Sequence, residues 1–367
     1  MKNKFTIILI ALFWASCIST YEFEVNEVEK ALVVEGFISD QSYSDLNMEP
    51  TDPRYFDIKL SWTGQVKNSL NEKVRGAEVI IHSDQNQSWD YSETDAGVYQ
   101  LFYEDFKAEQ DQQYQLEIIL PEGDVFYSEW VGLPSSSLTG TLKYEEIEKD
   151  IYSIELGEEI IIKAKGLQLK VDMPENITPS STEYYKWDFD ITYGFVARLN
   201  PTQTDPNYRC WITEELFYPG FEVAEFDQPG TSHEMVFVNT AVDKIHEGLS
   251  VLVRQHAMAE SYFSYWNDIK RQEEQEGLFA PPPYNLKTNM SSNNPNVPVY
   301  GYFGAVSESY YRWIFNPKMV SYNIIYPESL RSSCNIPLPP PSCYDCRQAE
   351  LVVRSRITNQ KPWWWNN

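Results

Sequence analysis

The first third of the chain alternates apolar and polar positions in short runs that are separated by turn sequences. Within Gln115–Leu120, three apolar residues alternate with Gln115, Glu117 and Ile119, which predicts a strand with one buried face. Glycines at 76, 97 and 123 mark turns between such runs. The pattern predicts a seven-stranded β-sandwich domain over residues 31–133, with strands at Ala31–Ile38, Phe56–Trp62, Ala77–His82, Trp89–Ser92, Val98–Phe102, Tyr114–Leu120 and Val125–Val131.

Period-two patterning returns after a serine-rich joint at 134–139. Trp187, Phe189 and Ile191 lie on one side of a predicted strand, and polar residues take the positions between them. The pattern predicts a second β-rich domain over residues 140–325, with strands at Thr141–Tyr144, Leu167–Met173, Tyr184–Ala197, Glu234–Asn239 and Gly248–Gln255.

One helix is predicted, near residues 258–276. Tyr262, Tyr265, Trp266 and Ile269 fall at helical spacing, so they form an apolar stripe that would pack on a sheet. The same stripe could instead serve as an aromatic platform for a ligand, although packing is the commoner use of such a pattern.

Proline and glycine dominate the segment after the helix. The prolines at 281–283 predict an extended polyproline segment. The run Pro298–Val306 is a strand interrupted by glycines, which predicts that it bends or lies close to another backbone. Residues 326–367 form a tail rich in Pro, Cys and Trp.

Three tryptophans stand near the end of this tail, at Trp363, Trp364 and Trp365. Exposing so much apolar surface is costly, so we expect them to dock on the body of the protein. The alternative is that they contact a ligand or partner, together with Tyr284 of the polyproline segment.

The N-terminus has the parts of a bacterial lipoprotein signal. Lys2 and Lys4 precede a short apolar run, and small residues lead to Cys17. We predict a signal peptide over residues 1–16, lipidation at Cys17, and an acidic tether over residues 17–30. The lipid would attach the protein to the outer membrane, on either its periplasmic or its cell-surface face.

Charge limits the classes of partner. The chain carries 54 acidic and 29 basic residues, a formal net charge of -25. Such a surface repels the phosphates of nucleic acids, so no nucleic acid partner is expected. The 367 residues are enough for two domains.

Cysteine usage is typical of an oxidising compartment. Apart from Cys17, the sequence has an even set, which allows three disulfide pairings: Cys210, Cys334, Cys343 and Cys346. The Cys343-x-x-Cys346 spacing occurs in redox motifs, but here it lies in a proline-rich tail and favours a structural role. Four thiolates could also hold zinc, an alternative that the exterior compartment disfavours.

Candidate catalytic chemistry is sparse. The four histidines are scattered, and we find neither a nucleophile elbow nor a phosphate-binding loop. Asp188 and Asp190 lie two apart on a strand and therefore share a face, which could suit a metal or glycoside hydrolysis; a solvated strand face explains them equally well. No enzyme activity and no cofactor are predicted.

Several segments, taken in their order along the chain, resemble a known family. The run Arg75–Ile81 and the strands after it resemble transthyretin-like, immunoglobulin-like sandwiches, which are usually non-catalytic. With the lipobox, these segments make nearly the whole mature chain similar to the Bacteroidota lipoprotein family called domain of unknown function 4249: Ala31–Asp40, Val74–Val79, Tyr265-Trp266, Gly277–Pro283, Val299–Ala305, Cys343–Cys346 and Asn359–Trp363.

That resemblance implies an outer-membrane lipoprotein of two β-rich domains, commonly encoded beside TonB-dependent receptors, with no established activity. We therefore expect an accessory or ligand-binding subunit that associates with a TonB-dependent transporter. Two alternatives are an anchored hydrolase that acts on glycan or peptide, and a structural envelope protein.

Overall fold

The computed structural model describes residues 30–42, 56–63, 72–135, 138–155, 158–175, 182–215, 220–274, 286–324, 334–349 and 355–365. The predicted signal peptide, Cys17 and Tyr284 lie outside the described residues.

The protein is mainly β, as predicted. Up to residue 132, the described residues form nine strands: β1 (Leu32–Ser39), β2 (Asp57–Trp62), β3 (Glu78–Ser83), β4 (Ser88–Asp90), β5 (Ser92–Asp95), β6 (Val98–Gln100), β7 (Gln113–Ile119), β8 (Val125–Ser128) and β9 (Val131–Gly132).

From residue 141 onward, the described part of the chain adds ten strands and one α-helix. They are β10 (Thr141–Glu155), β11 (Glu158–Asp172), β12 (Glu183–Val196), β13 (Arg209–Glu215), β14 (Phe221–Phe226), β15 (Ser232–Asn239), β16 (Leu249–Met258), α1 (Glu260–Glu274), β17 (Met290–Ser292), β18 (Val299–Ile314) and β19 (Arg356–Thr358).

The largest sheet has ten strands and runs through both of the predicted domains. Its order is β19-β13-β12-β16-β18-β1-β2-β6-β5, and β14 also pairs with β12. β1 and β18 pair in parallel, with Leu32 opposite Val299 and Ser39 opposite Val306. The first strand of the described chain therefore pairs with one that lies about 270 residues later, at the centre of the sheet.

A six-stranded sheet, β17-β8-β7-β3-β4 with β9 beside β7, completes the N-terminal sandwich. Its inner residues, such as Ile81, Leu116 and Ile118, form one core with Leu32 and Leu60 of the large sheet. All seven predicted strands are present, but two are divided. The predicted strand 89–92 splits at the buried Tyr91, because β4 belongs to the six-stranded sheet and β5 to the ten-stranded sheet.

A three-stranded sheet, β10-β11-β15, covers one face of the large sheet and encloses a second core. Leu167, Leu169 and Val171 of β11 pack there with Trp187 and Val253. Only the base of the β10–β11 hairpin shows the period-two pattern. The rest of both strands was not predicted, because residues 145–150 are nearly all charged and bury neither face.

Helix α1 lies on the opposite face of the large sheet and confirms the predicted helix. Tyr262, Phe263 and Tyr265 are buried, and they pack with Tyr302 and Val306 of β18. The Tyr262 and Tyr302 rings stack at 4.9 Å between centroids. The aromatic stripe is therefore a packing surface.

The C-terminal strap, residues 334–349 and 355–365, is fastened to the outer edge of the large sheet. Cys210 forms a disulfide with Cys346, and Cys334 forms one with Cys343, so the prediction of structural disulfides is confirmed. β19 pairs with β13 beside the first bridge. The Cys-x-x-Cys cysteines are thus bonded to different partners and not to each other.

Candidate functional site

The helix-side face of the large sheet carries six ionisable side chains at its centre. We call them the charged cluster: Lys186, Asp188, Asp190, Arg254, His256 and Glu308. Alternate residues of a strand share a face, so the first three project from β12 on the same side. Antiparallel pairing places His256 opposite both Lys186 and Glu308, and it places Arg254 opposite Asp188.

The six groups pair with one another. Arg254 donates to Asp190, and Lys186 donates to Asp188. Five of the six side chains are at most 15% exposed, and Asp188, at 29%, is the most open. Burying a charge is costly unless an opposite charge lies beside it, and this arrangement satisfies that requirement.

His256 joins the two ends of the cluster. Its Nδ1 lies 3.4 Å from an Asp188 oxygen, and its Nε2 lies 3.3 Å from Oε1 of Glu308. Both ring nitrogens face carboxylates, so only the imidazolium form can donate to both. With the imidazolium, the cluster holds three positive and three negative charges and is neutral.

Charge pairing also sets the ionisation of Asp188. Burial by itself would raise the pKa of Asp188, but the neighbouring Lys186, His256 and Arg254 cations outweigh it and hold the pKa below its usual value. Asp188 and Asp190 do share a face, as the strand pattern predicts. Their oxygens face cations, and we find no group of three or more His, Cys, Asp or Glu side chains suited to a metal among the described residues.

Aromatic rings border the cluster on its helix side. The Lys186 ammonium lies 4.3 Å from the centroid of Trp266 and 5.3 Å from that of Phe221. The Phe37 ring lies 5.0 Å from the His256 ring. These cation–π contacts hold the Lys186 ammonium in place, so it needs no anionic partner besides Asp188.

The strap packs against the same sheet at β13 and β18. Trp364 and Trp365 are buried with Trp211 of β13, and the Arg312 guanidinium of β18 lies 3.6 Å from the centroid of Trp364. Trp363 is 71% exposed. Two of the three terminal tryptophans therefore dock on the body, and Trp363 is the one presented to solvent.

Sequence reasoning singled out the two aspartates of the cluster but not Lys186, Arg254, His256 or Glu308. A signal existed, because Arg254 and His256 alternate within a run that otherwise reads as a buried strand. Isolated polar residues in such a run indicate partners on neighbouring strands, but they do not say which strands are neighbours.

The sequence profile of one family, described as a domain of unknown function (DUF4249), matches residues 18–312. The chain belongs to this family. The matched range of this DUF4249 member contains the whole charged cluster and the helix, and it leaves the strap outside. No curated protein and no solved structure matches the chain. In the described part of this DUF4249 member, we find no helix that is long and apolar enough to cross a membrane.

Proposed function

We propose that the protein is a lipid-anchored outer-membrane protein that serves as an accessory or ligand-binding subunit of a TonB-dependent transporter. The observation that carries the anchoring is a count of cysteines. The two disulfides use four of the five cysteines in the sequence, and the one left over is Cys17, the predicted lipidation residue.

Two further observations support this location. Disulfides persist in compartments outside the reducing cytoplasm, where lipoproteins reside. The family match begins at residue 18, directly after Cys17. A mature protein that starts at the lipidated cysteine accounts for both.

The ionisation of the charged cluster argues against Asp188 as a general acid. A general acid must release a proton near the working pH, but the cations beside Asp188 stabilise its ionised form. The paired charges lie beside the aromatic rings of Trp266, Phe221 and Phe37. Such a surface suits recognition of a polar ligand through charge-assisted hydrogen bonds. Asp188, at 29% exposed, is the member of the charged cluster most open to solvent.

The anchor is tested by labelling cells with an alkyne-bearing palmitate. We expect label on the wild-type chain and none on Cys17→Ser, since a serine hydroxyl cannot form the thioether. The serine variant should also leave the outer-membrane fraction. Equal labelling of the two chains would rule out Cys17 as the attachment point.

The partner is tested by purifying the tagged lipoprotein from outer membranes in a gentle detergent and identifying the accompanying proteins by mass spectrometry. We expect a TonB-dependent β-barrel in stoichiometric amount. Recovery of the lipoprotein alone would contradict the accessory role, and a substrate-turnover screen would then be the next experiment.

A further inference from the structure

The β10–β11 hairpin extends well beyond the sheet that supports it. β15 pairs with β11 only over Gly166–Asp172, whereas β10 and β11 pair along their whole length to Glu155 and Glu158. We call the part beyond the β15 pairing, residues 148–155 and 158–165, the distal ribbon. Its base is held by the buried Ala164 and by hydrogen bonds from Thr240 to the Lys165 carbonyl, and its far end has no third strand beside it among the described residues. Its eight residue pairs span roughly 27 Å.

The distal ribbon presents apolar side chains to solvent. Tyr152 is 83% exposed and Ile161 is 63% exposed, and the two stand directly opposite each other. On the other face, Ile151 stands opposite Ile162. None of these four residues belongs to a hydrophobic core formed by the described residues.

Such an element is unusual on physical grounds. A two-stranded ribbon is marginally stable in water unless a third strand or a packing surface supports it. Exposed, adjacent tyrosine and isoleucine side chains add apolar surface at the point of least support. Both features are explained if the ribbon buries its apolar end against another molecule.

The acidic charge of the distal ribbon limits which kind of molecule can bind it. Acidic residues outnumber basic residues by seven to three over residues 145–165. The Lys163 ammonium already lies 3.7 Å from Glu148 and 3.9 Å from Asp150, so it does not offset the remaining acids. An anionic lipid surface repels this ribbon, and so does a second copy of a chain with net charge -25.

We propose that the distal ribbon is a docking arm for a partner protein that offers an apolar cleft rimmed by lysine or arginine. Tyr152 and Ile161 supply the buried contacts at its centre, and the surrounding acids steer the approach and fix the register. The proposal rests on the proposed function, in which this partner is the transporter.

The test places a photo-crosslinking benzoylphenylalanine at position 152 or 161 in the full-length lipoprotein, in intact cells. Position 103 is the matched control, because Tyr103 is an exposed aromatic residue, 46% accessible, on the N-terminal sandwich. We expect the TonB-dependent barrel to be crosslinked from 152 and 161 and not from 103. Crosslinking to lipid or to a second copy overturns the docking-arm proposal.

The outcomes separate the two proposals. If the barrel co-purifies but is not crosslinked from the ribbon, the accessory role stands and the docking arm is wrong. If the barrel does not co-purify, the accessory role is wrong. In that case, crosslinking from position 152 to another protein with a basic-rimmed cleft would still support the docking arm. If neither result is obtained, both proposals fall.

A second measurement needs no photochemistry. The Tyr152→Ala/Ile161→Ala double variant should recover at least about tenfold less barrel than wild type, whereas Tyr103→Ala should recover the wild-type amount. Recovery with the wild-type arm should also fall as salt is raised, since the steering charges are exposed. Equal recovery with the double variant contradicts the arm.

Discussion

At the scale of single residues, the protein places six ionisable side chains at the centre of a sheet and pairs them there with groups of opposite sign. The Arg254–Asp190 pair is largely buried, with side chains 15% and 5% accessible. The attraction between the two side chains adds little net stability, because burying both charges costs them their hydration. The pair matters mainly because either charge would be costly to bury without the other.

We predict that Arg254→Met lowers the free energy of unfolding by about 3 to 5 kcal/mol, because Asp190 then stays buried without its guanidinium. Urea denaturation monitored by tryptophan fluorescence measures the change. The double variant Arg254→Met/Asp190→Leu should recover most of the loss, since it removes the stranded charge. A single variant as stable as wild type would show that the pair is not buried in solution.

Asp188 predicts a pH dependence. Its pKa in the folded protein lies below the unfolded value of about 3.9, so the carboxylate adds stability that is fully present above that value. This stability is lost as the pH falls through the folded pKa. The destabilisation caused by Asp188→Asn should therefore be largest above about pH 5 and shrink below about pH 4.

Urea denaturation of both chains across pH 2.5 to 7 gives this difference directly. Subtracting the two curves cancels the other carboxylates, which are common to both. A difference that stayed constant down to the lowest pH would mean that the surrounding cations do not stabilise the Asp188 carboxylate.

At the scale of elements, the parallel contact between β1 and β18 decides how the two halves of the chain join. Gly301 of β18 adopts a φ of +96° opposite Val34 of β1. A Cβ atom at this position would fall on the Val34 carbonyl oxygen. The glycine-interrupted run thus lies close to another backbone, as the sequence predicts.

We predict that Gly301→Ala destabilises the protein much more than Gly123→Ala. Both glycines have almost the same left-handed φ, +96° and +97°, but a Cβ on Gly123 would meet nothing within 4 Å. The conformation alone costs about 1 to 2 kcal/mol, and the clash at Gly301 adds about 1 to 3 kcal/mol more. Thermal or urea unfolding of the pair compares them, and equal losses would contradict the close approach.

Most elements follow from local pattern, but the sequence predicts no strand at β13, β14, β17 or β19. The seven N-terminal strands and α1 bury one face each, so their apolar residues repeat with the period of the element. In the distal ribbon, Ala164 is the one described residue that is buried, so the ribbon gives little of that signal. β19 is three residues long and is held by pairing with β13, which no local pattern records.

At the scale of the whole molecule, two disulfides hold the C-terminal strap against the body. Cys210–Cys346 closes a separation of 136 residues, whereas Cys334–Cys343 closes one of 9. In the chain-entropy description, a crosslink stabilises the fold by restricting the unfolded chain, and the effect increases with the length of the closed loop.

We predict that Cys210→Ala/Cys346→Ala lowers the free energy of unfolding by about 5 kcal/mol and that Cys334→Ala/Cys343→Ala lowers it by about 3 kcal/mol. Loss of the long-range bridge should also increase the solvent accessibility of Trp364 and Trp365, which fluorescence quenching by iodide would measure. If removing the short bridge had the larger effect, loop entropy would not be the main contribution.

Sequence alone was enough to predict the fold class, the helix α1 and the disulfide-forming cysteines, because the period of burial and the number of cysteines can be seen directly in the chain. The sequence also placed Asp188 and Asp190 on one face. The order of the strands came from the tertiary structure alone, and that order pairs Asp190 with Arg254 and Asp188 with His256. Partners that are 64 or more residues apart, such as Asp190 and Arg254, meet through sheet order, which depends on contacts across the whole molecule.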